Sequence, residues 1–356
     1  MNIVLGVIGA GYISQFHFAA YKKMGVKVAR VSDVNLGAAS AAAAPFGATV
    51  SSDWRDVIED PAVNVVSVLV PTPLHGTVVR AALEAGKNVV CEKTLTLSAA
   101  ESLELGRLAE SKGLHLYTGY MKRFFPACRK AKELVGRLGR LVAVNFKTRQ
   151  DSQPANLYTG EVTPPYGFDA DGKSRLMKLS GGGILTCGGS HMLDLLCYLC
   201  GAPSSVYARQ FRRPGKSELD IVTHAMYGYA DGCNAMAEFN WHPLKRIGYQ
   251  SAGWDEGFEI FGENGIVELE TPYWNQPLRN PPLLRHYDDA AGTWTEYRTP
   301  LACPFEEAER SFHAWMEAGG QPAEFDRFVG YRVDQLIEST YKSAAENRPV
   351  DIPWAL

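Results

Sequence analysis

Residues 2–16, NIVLGVIGAGYISQF, decide how the rest of the chain is read. Ile3 to Ile8 is a short, β-branched apolar run without a helical period, which predicts a buried strand. Gly9-Ala10-Gly11-Tyr12-Ile13-Ser14 predicts a tight turn, and Gln15 to Lys23 a helix. A G-x-G-x-x-small loop between strand and helix is a cradle for a diphosphate. Gly9 permits the turn, and Gly11 lets the backbone approach the anion with no Cβ in the way. The helix start turns its N–H groups and positive dipole end toward the charge. Ser14 stands where the third glycine of the fingerprint falls, and it is small enough for close packing. A second strand, Val26 to Val31, leads to Asp33, an acidic residue about 20 positions on, where the ribose hydroxyls of a dinucleotide are gripped. That carboxylate repels a 2′-phosphate, and Val34, Asn35 and Leu36 supply no cation for one, so NAD is favoured over NADP. A glycine turn of purely structural use is the alternative, and Asp33 weighs against it.

The strand–helix alternation continues. Asn35 caps an alanine-rich helix that Pro45 and Gly47 end, Ala48 to Ser51 is a short strand, and Asp53 caps a brief helix stopped at Asp60-Pro61. Val63 to Val70 is a continuous apolar strand of the kind buried on both faces of a parallel sheet. It runs into Pro71-Thr72-Pro73-Leu74-His75 and a helix from Gly76 to Ala85. Asn88 to Glu92 is the next strand, followed by Lys93-Thr94. Ser98 and Glu101 form a capping box for a helix to Lys112, and Leu114 to Thr118 closes the series. This density of alternation predicts a doubly wound parallel sheet, whose ligands lie beyond the carboxyl ends of its strands. PTPLH and CEKT both sit at such ends and border the cofactor.

From Gly119 the pattern changes. Pro126 to Val135 is a helix and Leu141 to Thr148 a strand, followed by a long polar loop from Gln150 to Ser180, of a length usually reserved for function. Gly181-Gly182-Gly183 opens a helical segment to Cys200. Strands then follow in meander order: Ser205 to Arg212, Ile221 to Ala230, Asn234 to Trp241, Phe258 to Gly262, Ile266 to Glu270, Leu284 to Asp288 and Thr293 to Arg298. Asp231-Gly232 and Asn264-Gly265 mark hairpins. Helices from Phe305 to Ala318 and Glu324 to Asn347 finish the chain. The fold class is therefore α/β, an N-terminal Rossmann sheet over residues 1–122 followed by an α+β domain over 123–356 with a large, mostly antiparallel open sheet.

Composition sets the outer bounds. A chain of 356 residues suggests two domains, since single cores rarely grow past roughly 250–300 residues. A net charge of −3 gives no pull toward nucleic acid or acidic membranes. No apolar run reaches the ~18 residues of a membrane helix, and no export signal is visible. Seven cysteines without regular spacing argue for free thiols in a reducing, cytoplasmic compartment. Cys197 and Cys200 form a C-x-x-C with no second pair for zinc, so they read as helix-packing residues and no metal site is expected.

A nicotinamide enzyme acting on an alcohol needs a held cofactor, a base near the hydroxyl, and groups that orient the carbon. Lys93, beside Glu92 at a strand end, can bond a substrate hydroxyl and shuttle its proton once its pKa falls through burial or a nearby positive nicotinamide. A surface Lys–Glu neighbour pair is the plain alternative. His191 lies in GGGILTCGGSHMLDLL, three residues before Asp194 on one face of a helical turn, and titrates near neutrality. Its plain alternative is a helix histidine satisfied in the core.

Four blocks, GAGYIS, PTPLH, CEKT and GGGILTCGGSHMLD, together resemble the glucose-fructose oxidoreductase, inositol dehydrogenase and rhizopine-catabolism family of NAD(P)-dependent dehydrogenases. GYMKRFFP, FEIFGENGIVEL and YKSAAENRPVDIP are fainter echoes. The resemblance implies a Rossmann domain and a C-terminal domain whose open sheet supports homodimers or homotetramers. It implies that Lys93 and His191 line the reaction centre as catalytic residues and that Asp194 bonds substrate hydroxyls, with Arg123 and Cys187 also on the substrate side. Gly9, Gly11, Tyr12, Ile13, Asp33, Thr72, Pro73, His75, Glu92 and Lys93 are the cofactor residues. Two departures stand out. Thr94 replaces the usual proline after the lysine, which reduces loop rigidity. Cys187 stands where many members carry an aspartate, and a thiol is a weak hydrogen-bond partner. Either His191 works without that carboxylate, or Asp169 or Asp171 of the long loop replaces it, or Cys187 makes room for a larger substrate.

Trp241, Trp254, Trp274, Tyr158, Tyr166, Tyr249 and Tyr273 offer flat faces that suit sugar rings, although each one singly reads as a core or interface residue. With the resemblance, the expected substrate is a small polyhydroxylated ring: a cyclitol, a sugar, or a glycoside oxidised at a secondary hydroxyl such as a glucoside 3-hydroxyl. The competing readings are a non-catalytic NAD-sensing protein on the same fold, for which Cys187 is the motive, and a transhydrogenase that keeps its cofactor between turnovers.

Overall fold

The computed structural model describes residues 3–151, 179–212, 219–244, 246–249, Ser251, 253–318 and 324–356. The chain forms two compact units, Met1–Met121 with Pro304–Asp334, and Lys122–Cys303 with Gln335–Leu356.

In the first unit a six-stranded sheet runs β3-β2-β1-β4-β5-β6. Its strands are β1 (Val4–Ile8), β2 (Lys27–Ser32), β3 (Thr49–Ser51), β4 (Val65–Val68), β5 (Asn88–Cys91) and β6 (Leu116–Thr118). Every neighbouring pair is parallel. The strand order reverses between β1 and β4, and such a reversal opens a crevice at the carboxyl ends. The helices are α1 (Ser14–Met24), α2 (Leu36–Ala43), α3 (Arg55–Glu59), α4 (His75–Glu84) and α5 (Ala99–Ser111). Val65, Val66 and Val68 are fully buried, as their continuous apolar run requires. Asn35 caps α2 by accepting from the Ala38 N–H at 3.2 Å. Ser98 likewise accepts from the Glu101 N–H at 3.4 Å. The other half of the expected capping box differs: the Ser98 N–H donates to Thr96 Oγ1 at 3.0 Å.

The sequence reading keeps everything after residue 123 in the second domain, whereas Pro304–Asp334 joins the first unit. The reason is the apolar face of α8 (Pro304–Ala318), taking α7 as Ser190–Cys200. Phe305 stacks on Phe16 at 5.2 Å, and Trp315 stacks on Phe325 at 5.1 Å. The unit boundary falls inside α9 (Val329–Glu346), after Asp334. That helix begins later than predicted, because Asp326 takes the Phe328 N–H at 2.8 Å just before it.

The second unit carries a nine-stranded sheet, β14-β13-β12-β11-β7-β10-β9-β8-β15. Its strands are β7 (Leu141–Asp151), β8 (Ser205–Arg212), β9 (Asp220–Gly228), β10 (Asn234–His242), β11 (Trp254–Gly262), β12 (Gly265–Glu270), β13 (Leu283–Asp288), β14 (Thr293–Glu296) and β15 (Val350–Asp351). It is mostly antiparallel but not a simple meander. β7 lies between β11 and β10, antiparallel to one and parallel to the other. Its alternation buries Val144, Phe146 and Thr148 on one face. Phe146 stacks on Phe258 at 5.1 Å and meets Phe239 edge-on at 5.7 Å. The expected helix after Gly181 is partly a π-helical segment, Leu185–Gly189, which runs into α7. α6 spans Pro126–Val135, as the sequence predicts.

Asp220, 1% exposed, holds the start of that π segment. Its carboxylate accepts from Gly183 N at 3.0 Å, Leu185 N at 3.0 Å, Thr223 Oγ1 at 3.1 Å and Tyr341 Oη at 2.7 Å. A Cβ on Gly183 would sit 2.1 Å from the Asp220 carbonyl oxygen, so the approach needs glycine. Asp220→Ala leaves buried donors unsatisfied and is expected to destabilise this unit by about 2–4 kcal/mol, read as a lower urea midpoint; an unchanged midpoint would remove Asp220 from this role.

Candidate active site

The cofactor side is built by β1, the glycine turn and β2. Gly9 has φ +106°, and a Cβ there would lie 2.5 Å from the Leu69 carbonyl oxygen, so only glycine fits. A Cβ on Gly11 meets nothing within 4 Å, which leaves room over the turn for a diphosphate. Ile13 precedes α1 without a side-chain cap among the described residues, so the helix start can take an anion. Tyr12 is exposed and rests edge-on against Phe16 at 5.8 Å. Asp33 is fixed at the end of β2: Oδ2 accepts from Ala10 N at 2.7 Å and Oδ1 from Asn35 N at 2.8 Å. A carboxylate held this way keeps lone pairs for a ribose diol, and these residues fit a dinucleotide.

Thr72 and Pro73 lie in a short 3₁₀ turn, Thr72–Leu74, after β4, with Thr72 buried. His75 differs from its expected place beside the cofactor. Its Nδ1 lies 2.8 Å from the Thr94 carbonyl oxygen and its Nε2 2.8 Å from that of Val70. Burial pushes its pKa down against those bonds. Both ring nitrogens are committed, so His75 ties the PTPLH and CEKT loops together.

Glu92 and Lys93 follow β5 directly. Glu92 is 7% exposed, and its Oε2 accepts from the Lys93 backbone N–H at 3.2 Å. Its Oε1 lies 2.9 Å from His17 Nε2. Burial pushes the carboxyl up, yet the His17 hydrogen bond, the His17 charge and Lys93 together hold it below the usual range. Lys93 is half-buried, and the peptide between Lys93 and Thr94 is cis.

In the second unit His191 and Asp194 lie on α7 and are buried. Asp194 meets Arg123, with Nε donating to Oδ2 at 3.0 Å and Nη2 to Oδ1. The Arg123 guanidinium also covers the Tyr198 ring at 5.0 Å. The two residues expected separately on the substrate side are thus one bidentate pair. The Cys187 thiol donates to Ser180 Oγ at 3.4 Å, and the Cys187 carbonyl accepts from Ser190 Oγ at 3.1 Å. Asp169, Asp171, Tyr158 and Tyr166 lie outside the described residues. Trp254 packs with Tyr273 at 5.5 Å and Trp274 at 6.4 Å, while Trp241 is buried and Tyr249 exposed.

Two buried clusters were not anticipated. In the first unit His17 joins Glu92 to Glu309, whose Oε1 is 3.0 Å from Nδ1 and accepts from Tyr21 Oη at 3.0 Å. In the second, Lys122 pairs with Glu256, which accepts from Thr148 Oγ1 at 2.7 Å. Gln150 Nε2 donates to Thr148 Oγ1 at 3.1 Å, and a Cβ on Gly188 would overlap it. Gly188 is therefore what lets Gln150 lie against the segment leading to His191. His17 stands one turn inside the phosphate-loop helix, a placement the sequence displays, but its partner Glu309 carries no motif. All seven cysteines are free thiols, no three described His, Cys, Asp or Glu residues group as a metal site, and no described helix is long and apolar enough to cross a membrane.

A glycine turn at the switch point, an ordered acidic residue after β2 and a lysine after β5 define an NAD-binding Rossmann oxidoreductase. Family models agree, matching residues 3–120 as "Oxidoreductase family, NAD-binding Rossmann fold" and 128–268 as "GFO/IDH/MocA C-terminal domain". The chain is 33% identical to inositol 2-dehydrogenase 1 of Saccharopolyspora erythraea, over 100% of this chain and 98% of that one. It is 26% identical to levoglucosan dehydrogenase of Pseudarthrobacter phenanthrenivorans, over 99% of this chain and 98% of that one. A solved levoglucosan dehydrogenase in complex with NADH and levoglucosan shares the fold, with a TM-score of 0.83 at 22% identity over 99% of this chain and 100% of that one. The chain belongs to the GFO/IDH/MocA family, and NAD is its cofactor.

Two expectations follow. Asp33→Ser removes charge-assisted bonds worth about 1.5–3 kcal/mol, so the NAD dissociation constant should rise about 10–150-fold; calorimetry showing no change would remove Asp33 from the ribose site. For His17, burial alone would push the pKa down, but the Glu309 and Glu92 carboxylates outweigh it and bring it up to about 9. A pKa raised in the folded state gives stability that is full below the unfolded value of about 6.5 and lost as pH rises through the folded one. The thermal midpoint should therefore fall between pH 7 and 9.5, and a curve that stays flat in His17→Gln but not in the parent would assign the slope to His17.

Proposed function

We propose that this enzyme moves a hydride between NAD and the ring carbon of a secondary hydroxyl on a cyclitol, sugar or glycoside. The observation that carries this reading is Glu92–Lys93: an ionised, buried carboxylate beside a half-buried lysine, where the Rossmann sheet ends. Bound NAD supplies the hydride acceptor. Lys93 bonds the hydroxyl oxygen and steadies negative charge there as the proton leaves. His191 takes that proton, since a histidine titrates near neutrality. Asp194, gripped by Arg123, retains lone pairs that can orient a neighbouring ring hydroxyl. The relatives' names support a polyhydroxylated ring: one is an inositol dehydrogenase and one a levoglucosan dehydrogenase.

The working form in this reading is a homodimer or homotetramer in the cytoplasm, with no nucleic-acid or membrane partner. Support for assembly comes from Met226 and Met236, which sit opposite each other across β9 and β10 and are 42% and 52% exposed. Seven free thiols suit a reducing compartment.

With cyclitols, hexoses and glycosides screened by NADH absorbance, Lys93→Met is expected to lower turnover by ~10²–10⁴-fold, the usual worth of proton-transfer help, with NAD affinity nearly intact. Turnover near the parent value would remove Lys93 from this role. NAD binding with no reduction by any such ring in the parent protein would favour a sensor, and nucleotide surviving purification would favour a transhydrogenase.

A further inference from the structure

His17 sits in the first turn of α1, just past the glycine turn, and is 3% exposed. Its Nε2 is 2.9 Å from Glu92 Oε1 and its Nδ1 3.0 Å from Glu309 Oε1. Glu309 is fully buried. A neutral imidazole has one N–H and cannot donate to two carboxylates, whereas an imidazolium donates to both. The groups facing the ring are few. Tyr21, from the same helix, donates to Glu309 Oε1 at 3.0 Å and to Ser67 Oγ at 2.9 Å. Phe305 of α8 lies edge-on at 5.3 Å. His313 Nε2 stands 4.0 Å from the other Glu309 oxygen, and Lys93 acts on Glu92 from the far side. The two buried carboxylates thus have one shared cation between them. An unpaired buried carboxylate is driven to protonate.

We propose that His17 is a positioning residue for the reaction centre: clamped between Glu92 and Glu309 as a cation, it keeps Glu92 ionised and aimed at the Lys93 backbone, and so sets the charge that Lys93 works beside. This rests on the dehydrogenase reading for its activity readout but not for its charge readout. It also gives α1 two duties, since the helix that starts at the diphosphate turn carries the cation behind the lysine.

The test compares the parent full-length enzyme with His17→Gln and Glu309→Gln. In His17→Gln the shared cation is gone, Glu92 is pushed toward its neutral form, and the acid limb of kcat/KM should move alkaline by about one pH unit or more. That is about a tenfold loss at pH 7, with recovery near pH 9–10 and little change in NAD affinity. Glu309→Gln keeps an acceptor for Nδ1 and leaves the His17–Glu92 pair, so its acid limb should stay at the parent position. Independently of any substrate, ¹⁵N spectra of histidine-labelled parent protein should show His17 doubly protonated at pH 8. A neutral His17 there, a parent-like pH profile in His17→Gln, or equal shifts in both variants would each overturn the proposal. If no ring substrate is turned over, the dehydrogenase reading fails, and the ¹⁵N result still decides the charge of His17.

Discussion

Two carboxylates buried in one core, Glu92 and Glu309, cannot both stay ionised away from water unless a cation lies between them. His17 meets that constraint, and much of the first unit is arranged around it. α1 must start at the glycine turn to bring His17 behind β5. α8 must pack on this unit, although it follows the second sheet in sequence, to bring Glu309. Tyr21 and Ser67 then satisfy the remaining polar atoms in order. The cluster resembles a registry device: apolar packing of α8 supplies adhesion, while the charges select one alignment.

The same logic recurs in the second unit with different groups. Arg123 grips Asp194 in a bidentate pair, and Lys122 meets Glu256, next to Arg123 in sequence and equally buried. Neighbouring cations on one short 3₁₀ turn, Met121–Phe124, therefore fix an α7 carboxylate and a β11 carboxylate. Cys187, where a family aspartate is usual, falls beside Gly188 and the Gln150 amide. The missing carboxylate is thus set in a neighbourhood with neutral donors and acceptors as well as a thiol.

Local chemistry was legible in the sequence and distant pairing was not. Gly9, Gly11 and Asp33 could be read because each acts through backbone geometry or charge within one strand–turn–helix unit. Asn35 and Ser98 were readable as caps for the same reason. His17 and Glu309 are 292 residues apart, and a helix histidine or glutamate has no local signature for a partner at that distance. The parallel pairing of β7 with β10 was hidden because alternation reports which face is buried, not which strand lies alongside. His75 was placed at the cofactor by its motif, yet two carbonyl oxygens claim its ring nitrogens. Ser98 and Glu101 have capping-box spacing, but Thr96 takes the reciprocal donor.

The most direct measurement is isotopic. A cyclitol or sugar deuterated at the carbon bearing the secondary hydroxyl is incubated with the enzyme and NAD, and the reduced nucleotide is analysed by mass spectrometry. Direct hydride transfer predicts one deuterium on the nicotinamide ring, from one face only. NAD that binds but gains no deuterium from any ring of this class would contradict the dehydrogenase reading.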